Sequence, residues 1–369
     1  MKGWKTSPLG EVVSIVGGGT PTRSNPDFYG GSIPWVTPKD MKSWEITGAQ
    51  IALTQAGVDN SSTRVVPQNS ILIVVRSGVL KHTVPVGLNR VPVAINQDMK
   101  ALQCGDPVDA DFLARFIKAQ SPVILKWVRA TTADNFPIDK LKKLPVPLPP
   151  LAEQRRIAEV LDKVEDLRAK RRAAIAQVDS LTQSLFLDLF GDPVANPKGW
   201  PVRSFEETMR DETSRSKKLN QSEFSESGKF PVIDQGQSTI AGYCDDDLML
   251  CVSTLPVVVF GDHTKAVKLV SHPFVVGADG AKVLVSESGI EAVFLATLLR
   301  MLPIPDLGYS RHMKELKRLK YITPPLDLQR EFARRMAAVE KLKTAQRAAL
   351  AELDALFASL QHRAFRGEL

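Results

Sequence analysis

Histidine, cysteine and carboxylate side chains are the groups of this 369-residue chain that could do covalent or metal chemistry, and their spacing argues against each case. His82, His263, His272, His312 and His362 lack the short separations of a metal-ligand set. Cys104, Cys244 and Cys251 form no C-x-x-C pair, and an odd count argues against a secreted disulfide framework, so they read as reduced thiols. Pro305-Asp306 with Glu315-Leu316-Lys317 has the spacing of a metal-dependent nuclease site. Glu315 and Lys317 nevertheless fall in a Leu-Lys-x-Leu element that occurs twice, and the other copy holds Lys140 and Lys142 at those places. Coincidence is the better reading. Residues 17–23 are glycine-rich but lack the lysine of a G-x-x-x-x-G-K-[ST] phosphate cradle. No Asn/Asp-Pro-Pro-aromatic motif of an amino-methyltransferase occurs. No catalytic residue and no metal ligand is assigned.

Non-covalent recognition remains. The net charge of +7 favours an anionic partner such as nucleic acid, although many basic proteins have no such role. Phosphates are met by Lys, Arg, small polar side chains and backbone N–H groups, and base edges by Arg, Lys, Asn, Gln, Ser and Thr. Such residues cluster in apparent loops. In the first half these are Thr20 and Arg23, Thr37 and Lys39, then Arg76, Lys81 and His82, then Thr131, Thr132 and Asn135. In the second half they are Lys217, Lys218, Gln235, Gln237, His263, Lys265, Tyr309, Arg311 and His312. For each, a solvated loop side chain is the competing reading. Asn96 and Gln97 could equally be buried hydrogen-bonding groups in a turn, and Trp35 and Phe230 read as core anchors rather than stacking platforms.

The elements that position these loops come from an internal repeat. Residues 149–190 and 324–365 align without a gap at an offset of 175, with 18 of 42 positions identical, including both Pro-Pro-Leu openings, Gln154/Gln329 and Arg155/Arg330. The register continues upstream, where residues 138–144 match 313–319, and Lys2-Gly3-Trp4 resembles Lys198-Gly199-Trp200. Proline is tolerated at a helix start. The uninterrupted Ala, Leu, Arg, Glu and Lys that follow predict helices about 60 Å long. Rods that long need a partner. With Ile157 at position a, Val164, Arg171, Val178 and Leu185 follow at a, and Val160, Leu167, Ala174 and Leu181 at d. The second copy places Phe332, Val339, Gln346, Leu353 and Leu360 at a, with Arg335, Leu342, Ala349 and Leu356 at d. Four sustained heptads predict a coiled coil. The central a residues, Arg171 and Gln346, either snorkel outward or form a polar layer that fixes register.

Between the helices the pattern changes to short apolar runs punctuated by Gly, Pro and Asn. Residues 33–36, 71–75 and 91–95 read as strands and 111–117 as a helix; residues 230–233, 257–260, 273–276 and 291–299 repeat that order. The expected fold is α+β: two β-rich mixed globules, 1–148 and 191–323, separated by helices 149–190 and 324–369 packed as an antiparallel coiled coil with a pseudo-two-fold repeat. Similar helices should hold one geometry, while the dissimilar globules should touch different things.

Residues 141–162 (LKKLPVPLPPLAEQRRIAEVLD) and 189–201 (LFGDPVANPKGWP) make the chain resemble the specificity subunit of type I restriction–modification systems. Residues 33–40 (IPWVTPKD) and 230–236 (FPVIDQG) resemble that family's target-recognition domains. The second copy departs at Asp327-Leu328, where the first has Ala152-Glu153, and at residues 320–323, where KYIT replaces PVPL. The resemblance implies a non-catalytic subunit whose globules each read one half of a split, double-stranded DNA site. It also implies two methyltransferase subunits around the helices and restriction subunits joined to that core. S-adenosylmethionine, ATP and magnesium would then belong to those partners, with no cofactor in this chain. The rival readings are a nuclease with its own recognition domains, or a coiled-coil scaffold without methyltransferase partners. A hydrophobic content of 43% and the absence of an apolar run of about 20 residues predict a soluble, cytoplasmic protein without a membrane span.

Overall fold

The proline pairs do start two long helices. In the computed structural model, which describes residues 3–129, 133–305 and 311–369, helices run over Leu151–Phe190 and Leu326–Ala364. The chain forms two compact units: unit 1 holds residues up to 170 together with 350–369, and unit 2 holds 171–349. Each long helix is therefore shared between them. No helix among the described residues is long and apolar enough to cross a membrane.

Unit 1 is built from strands β1 (Lys5–Pro8), β2 (Val13–Gly17), β3 (Tyr29–Val36), β4 (Glu45–Ile46), β5 (Ala52–Leu53), β6 (Val65–Val66), β7 (Ile71–Val74), β8 (Val86–Asn89), β9 (Val93–Ile95), β10 (Met99–Cys104) and β11 (Pro145–Leu148). Besides several single-turn helices, it contains α1 (Ala110–Ala119), α2 (Ile138–Lys142) and the first part of α3 (Leu151–Phe190). One sheet has the order β2-β10-β7-β8-β4 and another β5-β3-β9-β6, while β1 and β11 pair apart from both. The continuously apolar β7 is buried along its whole length, as a strand covered on both faces must be.

Unit 2 contains β12 (Val202–Arg203), β13 (Met209–Asp211), β14 (Lys218–Leu219), β15 (Phe230–Ile233), β16 (Gly242–Cys244), β17 (Val257–Gly261), β18 (Val267–Val270), β19 (Val275–Gly277), β20 (Ala281–Ser286) and β21 (Tyr321–Ile322). With a single-turn helix at Phe205–Thr208, it also holds α4 (Ala292–Met301), α5 (Met313–Arg318) and α6 (Leu326–Ala364), α6 ending in unit 1. Its sheets run β13-β20-β17-β18 and β14-β19-β15-β16, with β12 and β21 paired separately. The two units thus repeat one scheme: a first strand pairs with the strand before Pro-Pro, and a parallel pair (β3 with β9, β15 with β19) sits in the second sheet.

The repeated glutamine has the same task in both. Buried Gln154 accepts from the Asp109 N–H at 2.8 Å and donates to the Pro107 and Pro149 carbonyls at 3.0 and 2.9 Å. Buried Gln329 accepts from the Glu291 N–H at 2.9 Å and donates to the Gly289 and Pro324 carbonyls at 3.2 and 2.8 Å. Each ties the start of a long helix to the N-cap of the helix in its own globule.

The helix seam keeps its heptad but not the expected phase. In unit 1 Ile157, Leu161 and Val164 are buried, and Ile157 and Leu161 pack with Phe357, Leu360 and Ala364. Arg168 lies over the Phe357 ring at 4.5 Å and pairs with Asp354 at 2.6 Å. In unit 2 Phe186 and Phe190 meet Phe332 and Phe294 in an aromatic cluster, every member fully buried. Through Val178 the covered positions are mainly a and e, and at the end of α3 they drift to b and f, where Phe186 and Phe190 sit. The expected d leucines face water: Leu167 is 52% exposed, Leu181 40%, and Leu342 and Leu356 both 46%. Arginine explains the shift, because its long stem covers apolar surface while its head finds a carboxylate at the edge.

Arg171 and Gln346 form the polar layer, with the guanidinium donating to the amide oxygen. Replacing a partly buried polar pair with leucine removes a desolvation cost. R171L/Q346L is therefore expected to raise the melting temperature of unit 2 by a few degrees while loosening helix register, measured by calorimetry and by cysteine crosslinking across the layer. An unchanged melting temperature and unchanged crosslinks would remove the layer's proposed role.

Candidate nucleic-acid interface

Because β3 and β9 run parallel, with Trp35 opposite Ala94 and Val36 opposite Ile95, the loops that follow them leave unit 1 at one end. Asp40 shapes the first loop by accepting from the Thr37 N–H and hydroxyl, both at 2.8 Å, and from the Gln50 N–H at 2.9 Å. The glycines before Thr20 serve the fold. A Cβ on Gly18 would lie 2.1 Å from the Ile95 carbonyl oxygen, and one on Gly19 would lie 2.1 Å from Ser62 Oγ. This close passage delivers Thr20, whose hydroxyl donates to the Gln97 side chain. Trp35 is 4% exposed and donates from Nε1 to the Gly19 carbonyl at 3.1 Å, so it anchors the core as expected.

These loops line a cavity of about 350 Å³ that gathers Thr20, Arg23, Thr37, Lys39, Gln50 and Gln97. Arg76, at the end of β7, reaches the rim through an ion pair with Asp98, and Asn135 is bridged to Arg76 along the backbone. Lys81 and His82 are exposed at the short helical turn Gly78–Lys81 and just beyond it. Thr131 and Thr132 lie outside the described residues. Asn96 is buried in a turn with Asp98, but Gln97 is exposed and belongs to the cavity. A polar pair directly after the apolar β9 is the signal that could have marked Gln97.

Unit 2 uses the same frame with different side chains. Val232 and Ile233 of β15 lie parallel to Val275 and Val276 of β19. The loop after β15 is held by Lys268, nearly buried, which donates to the Asp234 carbonyl at 2.9 Å and pairs with its carboxylate at 3.3 Å. Gln235 turns inward, its side chain accepting from the His263 N–H at 3.2 Å and its carbonyl from the Thr264 hydroxyl. Gln237 is exposed. Lys217 and Lys218 are exposed at β14, and Lys265 takes a left-handed φ of 59° in the turn between β17 and β18. Arg311 is exposed, whereas Tyr309 lies outside the described residues.

His312 corrects the expectation. It is fully buried, with Nδ1 on the Asp262 carbonyl at 2.8 Å, and Asp262 also accepts from the His312 and Met313 N–H groups at 2.8 and 2.7 Å. Burial keeps its ring from any base edge. It fastens the start of α5 instead.

The residues with nuclease spacing are occupied otherwise: Glu315 pairs with Arg318 at 2.8 Å, Lys317 lies 5.6 Å from the Phe205 ring, and Asp306 lies outside the described residues. Among the described residues no group of three or more His, Cys, Asp and Glu could hold a metal ion. Burial pushes the Cys104 thiol up to about 12, which keeps it protonated and unreactive.

Residues 1–177 match the model of the type I restriction modification DNA specificity domain. That match covers the first half of the chain, which is similar there to type I restriction specificity subunits. The chain is 39% identical over 167 residues to the EcoR124I/EcoR124II specificity subunit of Escherichia coli, covering 44% of this chain and 41% of that protein. It is 25% identical over 266 residues to the MjaIX specificity subunit of Methanocaldococcus jannaschii, covering 66% and 60%. The matched region therefore spans less than two thirds of either relative. Among solved structures, the type I S subunit from M. genitalium shares the fold with a TM-score of 0.62 at 17% identity, covering 98% of this chain and 96% of that one. A chain from a structure of type I complex assembly and conformational transition gives 0.59 at 20% identity, covering 100% and 99%. The mixed architecture of two sheet-rich bodies and long helices is thus the fold of type I specificity subunits.

Proposed function

We propose that this chain is the non-catalytic, sequence-specific DNA-binding subunit of a type I restriction–modification complex. The observation that carries this is the repeated frame: in each unit the polar loops leave one end of a parallel strand pair, but the side chains they present differ. One frame carrying two unlike loop sets suits an asymmetric, bipartite site. The target-recognition domains are then 1–148 and 191–323, with 149–190 and 324–369 as spacer helices. In unit 1 the start of α3 packs against the end of α6, and in unit 2 the end of α3 packs against the start of α6, which supports an antiparallel, pseudo-two-fold coiled coil.

The partners on this reading are two methyltransferase subunits docked on the helices, and restriction subunits joined to them. Repeated exposed leucines support that stoichiometry, since Leu167 matches Leu342 and Leu181 matches Leu356. S-adenosylmethionine, ATP and magnesium would act in those subunits, and the whole would work in the cytoplasm. The bound methyltransferase must flip a base out of the duplex, and a reader holding both flanks would steady the DNA for that step.

Deleting the gene is expected to abolish methylation at one split motif with unspecified central bases, read by genome-wide mapping of modified bases with and without the gene. Survival of every motif would overturn the proposal.

A further inference from the structure

Arg76 leaves β7 unusually well braced. Its N–H donates to the Asp98 carbonyl at 3.2 Å, and it forms an isolated antiparallel bridge with Asn135. Its side chain is held as well, Nε donating to Asp98 Oδ1 at 2.5 Å. The carboxylate that holds it is itself fixed, because Asp98 Oδ2 accepts from Asn96 Nδ2 at 3.1 Å and the Asp98 N–H donates to Asn96 Oδ1 at 3.1 Å. Asp98 lines the unit 1 cavity, while the Arg76 side chain remains 50% exposed. Among the described residues no group takes Nη1 or Nη2.

A guanidinium anchored through Nε keeps its outer edge free, and that edge is a planar fork of parallel N–H donors. Two adjacent acceptors in one plane complete it. In the major groove guanine offers O6 and N7 side by side, whereas adenine replaces the first with an N6 donor. A phosphate would also accept, but contact with phosphate needs no such orientation, and Lys81 nearby could supply it. We infer that Arg76 reads one guanine in the half-site contacted by unit 1, and that Asp98 is the positioning residue that aims its fork. This rests on the DNA-reading function proposed above. At the matching place in unit 2, β17 runs into Asp262 and His263, so the other half-site lacks this contact.

The test is the methylation map of cells carrying the full chain as wild type, R76A, R76K, D98N or R76A/D98N, beside the gene deletion. R76A and R76K are expected to lose preference for guanine at one position by about tenfold or more, with every other position kept. D98N should relax the same position by a smaller factor, and the double variant should be no worse than R76A alone, as expected for residues acting through one contact. Weakening of all positions together would make Arg76 a phosphate contact and overturn the inference, as would an unchanged guanine. Relaxation at a different position in D98N would remove its positioning role. If the motif survives gene deletion, the DNA-reading function itself fails; if only deletion removes the motif, that function stands and this inference falls.

Discussion

Gln154→Ala is expected to lower the stability of unit 1 by about 3–5 kcal/mol, a fall in melting temperature on the order of 10 °C for a body of this size, while unit 2 melts as before. The side chain is fully buried and makes three hydrogen bonds to backbone groups that have no water to turn to. Truncation leaves the Asp109 N–H and two carbonyls unsatisfied and opens a void where the amide sat. The same loss frees the N-cap of α1, whose Asp109 side chain accepts from the Phe112 N–H at 3.0 Å. Gln154→Glu should do little better, because a carboxylate would face the Pro107 and Pro149 carbonyls with no donor to offer. Gln329→Ala should transfer the whole effect to unit 2. Hydrogen exchange resolved by unit reads both. Equal destabilisation of the two units by either variant would mean that they do not melt separately, and no destabilisation would mean that the glutamine is dispensable.

Much of the fold could be read from periodicity and punctuation, for reasons particular residues make plain. The run at 71–75 is short, apolar, rich in β-branched residues and bounded by turn residues, so it reads as a strand, and β7 is that strand, buried along its whole length. The repeated Pro-Pro-Leu-x-x-Gln marks a helix start because proline, N-terminal turn and buried amide are all local. The phase of the long helices was not legible. Leucine at Leu167 and Leu342 satisfies a core pattern as well as any residue, while Arg168 and Lys343 look like surface. The structure reverses them, leaving the leucines exposed and the stems of Arg168 and Lys343 largely covered.

The candidate interface is legible by residue type, whereas its geometry is not. Thr20, Thr37 and Lys39 could be picked out as polar loop residues, and they do share a cavity. Their organisers are far away in sequence: Thr20 meets Gln97 across 77 positions, and Arg76 meets Asp98 across 22. His312 failed for the same reason, since nothing near it in sequence announces the Asp262 carbonyl that buries it. A side chain's partners decide whether it faces solvent, and those partners are set by tertiary packing.

The exposed leucines then have a use that sharpens the proposed assembly. Unit 1 presents Leu167 and Leu356, and unit 2 presents Leu181 and Leu342, the same residues under the 175-residue offset. Leucines exposed by two-fifths or more on a helix whose seam buries an arginine contribute little to the fold, so a partner surface is the economical explanation for keeping them. A two-copy partner is the one that would find the same patch twice. L167D/L356D is expected to reduce the number of methyltransferase subunits held from two to one, L181D/L342D to do the same, and all four changes together to leave none, read by mass measurement of the purified complex. Placing a carboxylate at the centre of an apolar contact costs about 2 kcal/mol or more for each anchor, which for a pair amounts to several hundredfold in affinity. Helix content and melting temperature should stay within the range of the wild type, because the altered side chains already face water. Retention of two subunits by the fourfold variant would place the docking surface elsewhere, and loss of both from a single pair would show that the two sites are filled together rather than one by one.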